Sequence, residues 1–207
     1  MSEFDCNIIE ENGFCKSSIM KITEDSESCQ IFHIKSGIKS RCHLKLFYDL
    51  IPSSDTNLQV SFRLQRSHSS FENEKVVVCE KHRKSRFDSP IFPIAPQLED
   101  KWLLDPNSGI LILKVGKTNI KPWSEMVTIS FLCNDTCNNS RSSLDKIKAA
   151  KDLVLNVSLL KTKNNICQIS RTISFPLWVK SKINSQDLQK KIRRRSQMKI
   201  TQKTDNK

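Results

Sequence analysis

Glycine is scarce in this 207-residue chain, with four in all. No glycine-rich loop of the kind that cradles a phosphate can be found. No run of about 20 apolar residues occurs, so nothing reads as a membrane-spanning helix. The N-terminus, Met1-Ser2-Glu3-Phe4-Asp5-Cys6, is acidic and lacks the apolar stretch of an export signal. Heptads and internal repeats are absent. The four histidines, His33, His43, His68 and His82, have no companion motif that makes a nucleophile–base set. No enzyme is expected from such a sequence, and neither a membrane nor a small-molecule substrate is an expected partner.

Three tripeptides, beginning at Asn134, Asn138 and Asn156, match the glycosylation pattern. Without an export signal, however, the eight cysteines are expected to be reduced thiols in the cytosol or nucleus. What the chain has in excess is positive charge: 34 Lys plus Arg against 22 Asp plus Glu, a net of +12. That balance points to a polyanionic partner, with nucleic acid first and an acidic membrane surface second. Part of the excess lies in a C-terminal run, Lys190-Lys191-Ile192-Arg193-Arg194-Arg195. Such a run serves as a nuclear localisation signal, as a non-specific DNA clamp, or simply as a solvated tail.

Two short clusters carry the most chemistry. One is Cys79-Glu80-Lys81-His82 and the other is Cys133-Asn134-Asp135-Thr136-Cys137. Each offers two soft or borderline ligands at chelating distance, and together they make the Cys₃His set of a structural zinc site. The competing reading is that the cysteines are buried thiols or halves of disulfides, and that His82 is a surface histidine. Each pair directly follows a strand-like run, Lys75 to Val78 and Met126 to Leu132.

Elsewhere the period of the pattern is two. Leu44, Leu46 and Tyr48 alternate with polar neighbours, as do Leu58, Val60, Phe62 and Leu64. Leu153, Leu155, Val157 and Leu159 form another such row, with Ile110–Val115 and Ile166–Phe175 as further strands. Pro90, Pro93 and Pro96 forbid a long helix or a central strand between them. Residues before Ser28 read as mixed and polar, with Gly13 to Lys21 a loop with a basic tip and a strand-like Ile19 to Thr23. Ser185 to Ile192 contains good helix formers. About eight short strands and one late helix describe an all-β sandwich with appended loops.

In this order the features resemble the DNA-binding domain of the p53 tumour-suppressor family of transcription factors. Phe131-Leu132-Cys133-Asn134-Asp135-Thr136-Cys137 is similar to the family's strand-to-loop zinc segment, and Val76-Val77-Val78-Cys79-Glu80-Lys81-His82 to its first zinc pair. Gly13-Phe14 through Lys21 resembles the first DNA-contacting loop. Arg171-Thr172-Ile173-Ser174-Phe175-Pro176 resembles the last strand before the recognition helix. The resemblance implies an immunoglobulin-like β-sandwich with zinc-pinned loops and a C-terminal recognition helix, spanning 13–192. Residues 1–12 would be an N-terminal extension and 193–207 a basic disordered tail.

The resemblance further implies one structural Zn²⁺ held by Cys79, His82, Cys133 and Cys137. It implies DNA contacts from Lys21 to base edges, from Arg171 to a phosphate, from Arg141 in the minor groove, and from Lys180 and Lys182 after Pro176, where Trp178 occupies the family's arginine position. Arg171 shares parity with Ile169, Ile173 and Phe175, so plain alternation aims it at the core; a bulge or a one-residue slip would resolve this. The expected function is nuclear, sequence-specific binding of double-stranded DNA by a transcription factor acting in stress or apoptosis responses. Further copies of the chain on the DNA are candidate partners. The alternative is a β-sandwich protein-interaction module with a basic tail and no specific DNA readout.

Overall fold

Cys42, Leu44, Leu46 and Tyr48 are buried while the residues between them are half-exposed, the signature of a strand with one face on a core. The computed structural model of the chain describes residues 4–11, 15–21, 28–35, 41–49, 56–66, 76, 89–94, 99–105, 108–115, 122–131, 153–164 and 166–180. Among the described residues nearly everything is strand, apart from a short 3₁₀ turn at Glu99–Lys101. The strands are β1 (Phe4–Ile9), β2 (Cys15–Lys21), β3 (Ser28–Lys35), β4 (Cys42–Tyr48), β5 (Asn57–Arg66) and β6 (Ile91–Pro93), then β7 (Trp102–Leu104), β8 (Leu111–Lys114), β9 (Trp123–Phe131), β10 (Leu153–Lys163) and β11 (Ile166–Lys180).

They form two sheets. One has four strands in the order β1-β4-β9-β6, and the other seven in the order β2-β3-β11-β10-β5-β8-β7. Their inward faces share one core: Phe4, Leu44 and Ile129 from the smaller sheet meet Phe62, Leu155 and Leu177 from the larger. Each such side chain contributes about 1.5–3 kcal/mol by leaving water. Aromatic rings close the margins, with Tyr48 stacked on Trp123 at 4.8 Å and Phe62 against Trp102 at 5.7 Å. Pro93 lies in β6, an outermost strand of the smaller sheet, where a missing N–H costs no ladder bond.

Several features depart from the expectation. Phe4, Cys6 and Ile8 are buried in β1, which pairs with β4 from Phe4↔Tyr48 to Ile9↔His43. The segment assigned to an N-terminal extension thus carries a core strand. Only three apolar residues separated by Asp5 and Asn7 announce it, too few to stand out from a polar stretch. Cys15–Lys21 is strand β2 and not a loop, paired with β3 from Cys15↔Ile34 to Lys21↔Ser28.

The connection between β10 and β11 is tight. Lys163 pairs directly with Ile166, and Asn164 takes φ 50°, a left-handed conformation that asparagine tolerates without glycine. Strand β11 does not stop at Pro176. It runs to Lys180, and parallel pairing with β3 begins one residue after the proline, from Leu177↔Phe32 to Lys180↔Lys35. The expected helix at Ser185–Ile192 and the basic tail lie outside the described residues.

Candidate nucleic-acid interface

The pairings give the sandwich two distinct ends. The N-terminus of β10 and the C-terminus of β5 meet as Leu153↔Arg66, and the start of β6 meets the end of β9 as Ile91↔Phe131. The same end holds Lys35 and Lys180, the paired last residues of β3 and β11. The two sheets are tied there by reciprocal backbone hydrogen bonds between Glu11 and Cys15, at 3.1 and 3.0 Å. We call this the loop end. The β10–β11 turn marks the opposite, hairpin end.

The excursion 67–88 leaves the loop end at Arg66 and returns through Ser89; the excursion 132–152 leaves at Phe131 and returns at Leu153. Cys79 and His82 belong to the first, and Cys133, Cys137 and Arg141 to the second. All five lie outside the described residues, as does Lys182; the described strand ends from which the two segments depart, Arg66 and Phe131, belong to one end of the fold. Phe131 and Val76, the nearest described residues before each pair, are both core side chains.

The return of the first excursion is anchored by a buried hydroxyl. Ser89 Oγ donates to the Gly109 carbonyl at 3.0 Å and accepts from the Ile91 amide at 3.4 Å. Gly109 sits in a turn whose amide donates to the Asp105 carbonyl at 2.8 Å. Its φ of 68° is left-handed, where a Cβ would crowd the backbone.

Basic residues collect at the loop ends of neighbouring strands: Lys16 near the start of β2, Lys35, Lys180, Arg66 ending β5, and Arg41 just before β4. Lys16 lies opposite His33, and His33 opposite Trp178, with the two rings 5.1 Å apart. Ser18 Oγ and His33 Nε2 are 2.5 Å apart on the same outer face. At this end Glu11 pairs with His43 Nε2 at 2.9 Å, while His43 Nδ1 meets Thr128 Oγ1 at 2.8 Å.

Lys21 and Arg171, expected as DNA contacts, stand elsewhere. Lys21 ends β2 opposite Ser28, the first residue of β3, toward the hairpin end. Arg171 is nine residues before Lys180 on β11, about 30 Å along the strand. The expected bulge exists, because Leu159 pairs with Arg171 while Leu160 pairs with Ile169. It turns Ile169 outward and leaves Arg171 in register with Phe175. Arg171 is nonetheless exposed, because Ile166–Thr172 is solvent-facing throughout. Lys180 is placed on a strand, not in a helix.

Among the described residues three thiols lie in the core, Cys6, Cys15 and Cys42, the last two at the loop end. The Cys42 thiol donates a hydrogen bond to Cys15, which lowers the Cys15 pKa; that bond and burial raise Cys42, and burial raises Cys6. The described cysteines, 6, 15, 29, 42 and 167, are all free thiols. Among the described residues no group of three or more His, Cys, Asp or Glu is arranged to hold a metal. The glycosylation tripeptide at Asn156 is mid-strand, and Asn156 Oδ1 accepts from Ser174 Oγ at 2.7 Å.

Reading the sequence missed Lys16, Lys35, Arg41 and Arg66. The available signal was position: each sits at or beside a strand boundary, but only the sheet order shows that the boundaries share one end.

The fold defines the class, a two-sheet β-sandwich of the p53 DNA-binding-domain type. The chain is similar to the solved structure of Cep-1 from C. elegans, described with human p53 in a comparison of the DNA-binding domains of these orthologs. The TM-score is 0.56 at 12% identity, covering 86% of this chain and 89% of that one. At that identity the likeness shows the fold. No family model matches the chain, and no curated protein matches it by sequence.

Proposed function

We propose that this chain is a zinc-stabilised, sequence-specific module that binds double-stranded DNA in the nucleus as part of a transcription factor, with its DNA-facing surface at the loop end. The observation that carries this reading is that the strand ends flanking both ligand-bearing segments share one end of the sandwich with the basic strand termini. The likeness to a p53-type DNA-binding domain supports it. Cys79, His82, Cys133 and Cys137 form a closed Cys₃His donor set, which fits Zn²⁺ and leaves no position for an activated water. The metal would tie the two excursions together and so fix the surface between them.

Lys180, Lys182 and Arg141 are the proposed DNA contacts, flanked by Lys16, Lys35 and Arg41. Phosphate contacts from these cations position the protein, and base readout falls to those that enter a groove. Lys21 and Arg171 are not part of this surface. The proposed DNA-binding unit begins with β1 and ends by residue 192, with 193–207 as a basic tail.

The test is selection from a random duplex pool, run with the full chain and with a version ending at Ile192, alongside metal analysis. One zinc per chain and the same enriched sequence with both proteins are expected. Binding without sequence enrichment, lost when the tail is removed, would make the chain an interaction module with a basic tail.

A further inference from the structure

The β10–β11 hairpin carries a surface that the DNA reading does not use. From Leu153 to Lys180 there is no acidic residue. Register partners share a face, so Arg171 opposite Leu159 lies on the same side as Lys161 and Lys163 further along β10. Arg171 and Lys163 are exposed and have no ion-pair partner among the described residues.

On the side of β11 away from β10, β3 pairs only with its last four residues. Among the described residues, the first eleven of its fifteen have no strand on that side, an open edge of about 35 Å. Ile166 and Ile169 stand 64% and 68% exposed on this ribbon. At its inner end, where β3 diverges from β11, lies a notch of about 330 Å³ whose lining is half apolar, from Ile8, Phe32, Phe175 and Pro176, and half polar, from Asn7, Glu10, Gln30 and Ser174.

We propose that this edge binds an extended, acidic peptide segment of a partner protein, which adds as a strand alongside β11. Main-chain hydrogen bonds along the open edge would supply affinity, and alternate side chains would supply specificity. The peptide's carboxylates would face Arg171 and the lysines of β10. An apolar side chain would enter the notch, where Glu10 disfavours a further carboxylate. A second copy of this chain is a poorer occupant, since edge-to-edge pairing brings like cations together. A nucleic acid would use the cations but neither the open amide edge nor the exposed isoleucines. The proposal does not rest on the DNA reading.

The test is fluorescence anisotropy of the full chain with a labelled peptide of alternating glutamate and valine ending in leucine. Arg171→Glu is expected to weaken binding at least about tenfold, and Lys16→Glu, at the other end, to leave it unchanged, with circular dichroism confirming that both variants fold. Two further peptides carry N-methyl groups on odd or on even residues. Strand addition predicts that one phase abolishes binding and the other is tolerated; equal effects of the two would overturn the proposal. So would a dimer, formed without peptide and lost in Arg171→Glu, which would assign the edge to a second copy. Duplex DNA that displaces the peptide and is itself weakened tenfold by Arg171→Glu would assign the ribbon to phosphate and also overturn it.

Discussion

The chain has a single tyrosine, Tyr48. It is 1% exposed, stacked on Trp123, and its hydroxyl has no hydrogen-bond partner among the described residues. Burial first, and then the charge of Glu125, raise its pKa well above the ordinary 10. Cys6 and Cys42 are likewise held protonated above their ordinary 9. For acids raised on folding, stability is complete below the unfolded pKa and is lost as pH climbs toward the folded one. Loss therefore begins near pH 9 with the thiols and is joined by the phenol near pH 10. At pH 11 the phenol is one unit past its unfolded value and the Cys6 thiol two, so at about 1.4 kcal/mol per unit roughly 4 kcal/mol is withdrawn, a large part of the whole stability of a typical domain, about 5–15 kcal/mol. The assay is an alkaline titration under reducing conditions, following tyrosinate absorbance and circular dichroism together. The two transitions should coincide. Tyrosinate appearing with a pKa near 10 while the sandwich stays folded would refute the buried placement of Tyr48.

The other predictions concern the loop end. Ser89→Ala should cost about 1–3 kcal/mol in urea titrations, because the buried Gly109 carbonyl loses its donor. Gly109→Ala should cost about 1–2 kcal/mol, since φ 68° is left-handed; an unchanged midpoint would mean the turn relaxes. Cys79→Ser and Cys137→Ser should each abolish zinc retention in elemental analysis and lower thermal stability, and a chelator should do the same to the parent protein. Lys180→Ala should reduce the slope of log affinity for DNA against log salt by about 1, whereas Arg171→Ala should leave it unchanged.

How far the fold could be read from the sequence depended on whether a strand declares itself locally. β4, β5 and β10 alternate over seven or more residues, and their buried rows match the reading. β1 has three inward side chains, and its burial depends on β4, thirty-odd residues later, so no local pattern marks it. Pro176 looked like a terminator because prolines interrupt ladders. Its place one residue before the β3 pairing is a tertiary fact. The site followed the same logic. Spacing reads the two cysteine clusters as a zinc set; they lie outside the described residues, and sheet order shows that the strand ends flanking them are register partners. Lys21 and Arg171 are DNA contacts only by resemblance, and strand pairing, which the sequence does not display, sets them toward the hairpin end.

The separation of the two ends makes the two proposals independent by a physical argument. Arg171 and Lys180 are about 30 Å apart along one strand. At 0.15 M ionic strength the screening length is about 8 Å, so a charge change at one end is several screening lengths from a ligand at the other. Arg171→Glu should therefore weaken the acidic peptide without altering DNA affinity, and Lys180→Ala should do the reverse. At about 0.01 M salt the screening length grows to about 30 Å, and each substitution should then begin to register at the far end. Cross-effects that grow as salt falls are long-range electrostatics between separate sites. Cross-effects that persist undiminished at 0.15 M would mean that one ligand spans both ends, and the division of the sandwich into a loop face and a hairpin face would fail.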